Sequence, residues 1–162
     1  RERQLPVLAH QRTALDKAGT ALDAVRPHAR SDLASAFERR PELVRPAAEG
    51  NGQAAVRAMN REAEVRIDPH KRADRFTENW QQLHRQRASL SRNGEHDAAR
   101  KIGGQMGAMA KSLERDAQVE SILSARKAAL GIDVRSARPI GQALAAIAAL
   151  DRSRSLGIGI GM

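Results

Sequence analysis

Asp68-Pro-His-Lys-Arg-Ala-Asp-Arg-Phe-Thr-Glu-Asn-Trp-Gln-Gln-Leu-His-Arg-Gln-Arg-Ala-Ser-Leu-Ser-Arg-Asn-Gly94 reads as one helix with both ends marked. Asp68 suits the N-cap, where its carboxylate accepts free first-turn amides. Pro69 suits the first helical position, where no amide donor is needed. Asn93-Gly94 is a C-terminal stop. Between these ends Ala73, Phe76, Trp80, Leu83 and Leu90 recur at helical spacing, which predicts one buried face. Phe76, Trp80 and Leu83 are the predicted core anchors of that face.

The same period extends outward in both directions. Over residues 3–26, Leu8, Leu15 and Leu22 recur every seven residues, flanked by Leu5, Ala18 and Val25. This is a continuous apolar stripe about 35 Å long, ended by Pro27. Leu8, Leu15 and Leu22 are predicted core anchors too. Ser31 and Asp32 are predicted caps of a short helix reaching Arg39. Residues 41–50 read as a broken helix punctuated by Pro46 and Gly50-Asn-Gly52, and residues 53–67 as a helix with Ala55, Met59, Ala63 and Ile67 in step.

Downstream, Glu95 or Asp97 opens a helix whose anchors are Ile102, Met106 and Met109, followed by Leu113. Residues 116–130 are predicted to continue as helix to Gly131, and residues 139–150 form a last amphipathic helix using Ile140, Leu144 and Ile147. Gly103, Gly104 and Gly107 lie inside a predicted helix, each costing about 1 kcal/mol against Ala, so close approach of a neighbouring helix is expected there. Phe37-Glu-Arg-Arg-Pro-Glu-Leu43 echoes Leu113-Glu-Arg-Asp-Ala-Gln-Val119, as chance or as two similar helix corners. Gly157, Gly159 and Gly161 cannot sustain a helix, so residues 151–162 are expected to be a flexible tail.

Composition supports an all-α chain. Of 162 residues 41% are apolar but only 2% aromatic, so the core is built from Leu, Ala, Ile, Val and Met. That suits helix-on-helix packing rather than a sheet. The formal net charge of +9 rises mildly along the chain and allows an acidic partner, protein or nucleic acid. The absence of Cys excludes disulfide and thiol chemistry. Neither a transmembrane run nor a signal peptide is visible, and Arg1 in place of a start methionine points to a piece of a longer chain.

The residues give little support to catalysis. His10, His28, His70, His84 and His96 make no ligand-spaced pair with one another or with nearby acids, so no metal is expected. There is no phosphate-cradling glycine loop and no nucleophile elbow, and no helix follows the alternating tail glycines. Carboxylates sit beside arginines, as in Arg61-Glu62 and Asp74-Arg75, which reads as solvated helix faces. No cofactor is expected.

Four segments and the Gly/Ile tail carry a family resemblance. Residues Arg1–His10, Ser35–Val44, Ala73–Trp80 and Met109–Asp116 and the C-terminal Gly/Ile run resemble the C-terminal region of TraA-type relaxases of Ti-type conjugative plasmids. That region is similar to the Bep intracellular delivery (BID) domain of secreted bacterial effectors. The resemblance implies an elongated antiparallel four-helix bundle over residues 1–150, with a hook-like cap of short helices near 31–52 and a flexible tail over 151–162. In that arrangement the stripes at 3–26, 69–92 and 97–113 pack together, with 53–67 or 116–130 as the fourth member.

The resemblance also implies a role. It is a bipartite translocation signal, bundle plus basic C-terminus, read by the coupling ATPase of a type IV secretion system. The parent relaxase, with its attached DNA, would start in the donor cytoplasm and end in the recipient cell. The candidate partner-binding cations are Arg126, Lys127, Arg135, Arg138, Arg152 and Arg154, against Asp133 and Asp151 over the same stretch. Family tails are more strongly basic than residues 151–162. A relaxase nicks DNA with a tyrosine, and this chain has none, so nicking chemistry belongs elsewhere in the parent.

Two other functions compete. The first is an accessory nucleic-acid-binding helical domain. Interleaved acids and the scarcity of aromatics argue for weak, non-specific binding at most. The second is an effector acting inside the recipient cell, for which the residues offer only the fold. Neither membrane insertion nor oligomerisation is expected.

Overall fold

The computed structural model describes residues 4–154. The described residues are all-helical: eight α-helices and three 3-10 turns, with no strand among them. The chain divides between Ile67 and Asp68 into two compact units.

The first unit contains α1 (Gln4–Val25), α2 (Ala29–Arg39), a 3-10 turn at Pro41–Leu43, α3 (Val44–Ala48) and α4 (Gln53–Ile67). Its central pairing is α2 against α4. The interior is small: Ala36, Leu43 and Ala58, with Phe37 and Ala54 packed against them. Ion pairs supplement it. Asp32, buried at 4% exposure, takes both Nε and Nη2 of Arg66 at 3.1 and 3.2 Å. Glu62 faces Arg39 at 3.7 Å.

Asp32 is therefore not the predicted cap. The helix begins earlier, at Ala29, after His28 in the left-handed region (φ 68°). Ser31 lies inside the helix and donates its hydroxyl to the His28 carbonyl at 2.9 Å.

Two predicted anchors of α1 are corrected. Leu15 is 71% exposed and Leu22 37% exposed, and the side chain of Leu8 lies outside the described residues. The seven-residue spacing makes an apolar face but does not supply a partner for it. Within its unit α1 is joined to α2 through a different face. Arg30 bonds the Asp16 carbonyl at 2.8 Å and pairs with Asp23 at 3.7 Å. The guanidinium lies over Gly19 and leaves no room there for a Cβ. Ile67, the last residue of the predicted α4 stripe, is 71% exposed as well.

The second unit contains α5 (Pro69–Arg92), α6 (His96–Ser112), a 3-10 turn at Leu113–Arg115, α7 (Ala117–Ser124), a 3-10 turn at Lys127–Leu130 and α8 (Ile140–Arg154). The α5 ends are as marked. Asp68 accepts from His70 N at 2.8 Å, and Gly94 turns the chain with φ 79°. α6 packs on α5 and α8, and α5 also packs on α7.

The core holds Phe76, Trp80, Ile102, Met106, Leu113, Leu123, Ile140 and Leu144, with Leu83 and Met109 half-buried against it. Trp80 is 1% exposed and donates Nε1–H to the Leu130 carbonyl at 3.2 Å. Its ring stacks on Phe76 with centroids 6.3 Å apart. Gly103 receives Arg87, whose Cζ lies 3.3 Å from where a Cβ would stand, whereas Gly104 and Gly107 face open space. Only the first of the three glycines meets a close neighbour, and that neighbour is a side chain rather than a helix backbone.

The sequence echo has a structural counterpart. Arg40 (φ −135°, ψ 68°) and Asp116 (φ −134°, ψ 74°) occupy equivalent positions of the two segments and share one backbone conformation. Leu43 and Val119, three residues later in each, are both buried. Each unit thus runs long helix, helix, corner, short helix, helix, and in each the last helix packs on the second.

Candidate functional site

Four of the six candidate cations, Arg126, Lys127, Arg135 and Arg138, lie between α7 and α8, a stretch that opens where the sequence predicts continuous helix to Gly131. The structure instead ends α7 at Ser124 and makes a 3-10 turn over Lys127–Leu130. Tertiary hydrogen bonds outcompete the helical ladder here. Trp80 takes the Leu130 carbonyl, and Gln81 Nε2 takes the Ala129 carbonyl at 3.0 Å. Arg126 reaches back to α5, where its Nη1 donates to Asp74 Oδ1. Gly131, with φ 75°, then turns the chain toward α8.

This break separates the six candidates. Arg126 is committed to Asp74 and is no free recognition group. Lys127 donates Nζ–H to the Ser136 carbonyl at 2.7 Å, which fixes its ammonium across the connection. Arg135 and Arg138 are exposed, and neither has an ion-pair partner among the described residues. Their backbone amides are satisfied by Asp133 Oδ1 at 2.9 Å and by Ser136 Oγ at 3.3 Å. The side chains of Arg152 and Arg154 lie outside the described residues. The helix α8 runs to Arg154, into the segment expected to be tail, and residues 155–162 lie outside the described residues.

Lys127 and Arg138 meet in an open groove of ≈ 460 Å³. One wall is α7, through Glu120, Ser121 and Ser124; the other is Ala137 to Ile140. Glu120 accepts from the Gly141 amide at 3.4 Å, at the positive end of α8. The sequence reading missed the α7 wall. Its signal was available: Glu120, Ser124 and Lys127 follow at three- and four-residue steps, a polar stripe alongside the apolar one of Val119 and Leu123.

Below the groove, Asp116 caps α7 through Val119 N at 3.2 Å and receives Arg72 Nε at 2.8 Å. The hydrogen bond from Arg72 holds the Asp116 carboxyl below the usual carboxylate range. Other carboxylates are similarly tied to arginines, as in Arg45–Glu49 and Arg100–Asp97. Among the described residues no group of three His, Asp or Glu side chains is placed to hold a metal ion, and no helix is long and apolar enough to cross a membrane.

No family model, curated protein or solved structure matches the chain. What the site can do chemically follows from its own residues and their arrangement. Those residues offer charge recognition by exposed arginines, framed by helices that a tryptophan-centred core holds in place.

Proposed function

We propose that the chain is a translocation-signal module of the BID type, which directs a parent relaxase and its attached DNA through a type IV secretion system. The module itself is non-catalytic and monomeric. It acts in the donor cytoplasm and is carried into the recipient cell. The finer architecture belongs to the same proposal: an elongated antiparallel four-helix bundle, a hook near residues 31–52, and a flexible tail that starts after Arg154, where α8 ends. The reading draws on the resemblance of segments spread along the whole chain.

One observation carries it further. Asp74 is paired with Arg126 and Asp116 with Arg72, yet Arg135 and Arg138 stand exposed without an ion-pair partner among the described residues. Exposed, unpaired cations on a helical scaffold suit electrostatic steering toward an acidic receptor. The receptor in this reading is the coupling ATPase. The test is direct binding of the purified chain to that ATPase across a salt series. Association that weakens with salt, and weakens again on Arg135→Glu/Arg138→Glu, supports the reading. Absence of binding at low salt contradicts it.

A further inference from the structure

The groove between α7 and the start of α8 has a more specific character than a basic patch. We infer that it docks an acidic peptide segment of a protein partner, with Glu120 as a built-in competitor for the partner's carboxylates; the identity of that partner rests on the translocation-signal reading above. The volume, ≈ 460 Å³, suits a few peptide side chains. Lys127 is pinned by its bond to the Ser136 carbonyl, so one ammonium charge is held in place before any ligand arrives. An ammonium has three N–H donors, and that bond uses one. Arg138 lines the same groove and keeps its planar donor fork unpaired among the described residues. Such a fork matches a carboxylate in bidentate fashion.

Among the described residues Glu120 is the only acid lining the groove. Its contact with the Gly141 amide, at 3.4 Å, is long. Glu120 therefore places a negative charge beside the two cations and at the favourable end of the α8 dipole without making a tight bond there. An arriving acidic segment competes with that charge. Peptide fits this groove better than nucleic acid, because no aromatic side chain lines it. Two of the three aromatics of the chain, Phe76 and Trp80, are buried, and the third, Phe37, packs against the core of the first unit. Bases would find no stacking platform.

The test uses the full chain and fluorescein-labelled hexaglutamate, read by anisotropy, with amide NMR shifts to locate binding. Shifts are expected at Ser121, Ser124, Lys127, Arg138 and Gly141. Arg138→Glu should weaken binding, and Glu120→Gln should tighten it, each by about three- to fivefold. Glu95→Gln makes the same charge change away from the groove and should leave affinity nearly unchanged. The inference is overturned if hexaglutamate does not bind, if shifts spread over all basic faces, or if Glu120→Gln and Glu95→Gln act alike. Transfer of a reporter fused to the chain separates the two readings. Groove binding as forecast with no transfer of the unmodified chain defeats the signal reading alone. Normal transfer without groove binding defeats the groove alone.

Discussion

Trp80 anchors the second unit in two ways: it fills the core beside Phe76, and its indole N–H holds the Leu130 carbonyl at the break after α7. Trp80→Ala should cost about 3–5 kcal/mol in chemical denaturation. Its fluorescence in the folded protein should be that of a buried indole, with a red shift on unfolding. Asp116 gives a pH-dependent counterpart. Its folded pKa is depressed by Arg72, so its contribution is present at neutral pH and is lost as pH falls through the folded value, below about pH 4. Asp116→Asn should lower the melting temperature at pH 7, and the difference from the unmodified chain should shrink on acidification toward pH 3. Residues of this kind differ in how visible they are beforehand. Asp68 was legible as a cap because its partners, His70 and Lys71, are its immediate neighbours. Asp32 was not, because the group that decides its role, Arg66, lies on another helix.

The helices show the same division between local and distant causes. Boundaries set by Pro, Gly and Asn were readable: α5 occupies the span the opening stretch marks, and α4 covers residues 53–67. The break after Ser124 was not, since α5 side chains make it by taking the carbonyls of residues 129 and 130. The apolar stripe of α1 was readable as a stripe, but its period carries no information about what covers it. Glycines in α6 divide likewise. Gly104 faces open space, so Gly104→Ala should stabilise by about 0.5–1 kcal/mol through helix propensity. Gly103→Ala gains the same propensity but presses a Cβ against Arg87, so its melting temperature should fall below that of Gly104→Ala. Equal stabilisation by both would show that Arg87 yields freely. The paired corners at Arg40 and Asp116 were visible only as a sequence echo; their common dihedral angles give that echo a physical meaning.

Across the molecule, two helical units repeat one order of elements, and the second carries the larger core and the groove. The all-α class followed from composition and period. The groove did not, because it is assembled from α7 and from a connection with no period of its own. Charge gives the chain one further forecast. Association with DNA should be weak, insensitive to base sequence and lost near physiological salt, as binding by net charge alone requires. Tight, sequence-selective binding by the isolated chain would favour the nucleic-acid alternative. In the proposed function the helical body and the basic C-terminal part jointly direct transport, one through selectivity and the other through electrostatic encounter. That joint role is tested most directly by transfer of a reporter fused to residues 1–162, counted per donor cell at matched expression. Arg135→Glu with Arg138→Glu should reduce transfer partially without changing thermal stability, and deletion of residues 151–162 should reduce it further. Transfer at the unmodified level by both variants would contradict the account.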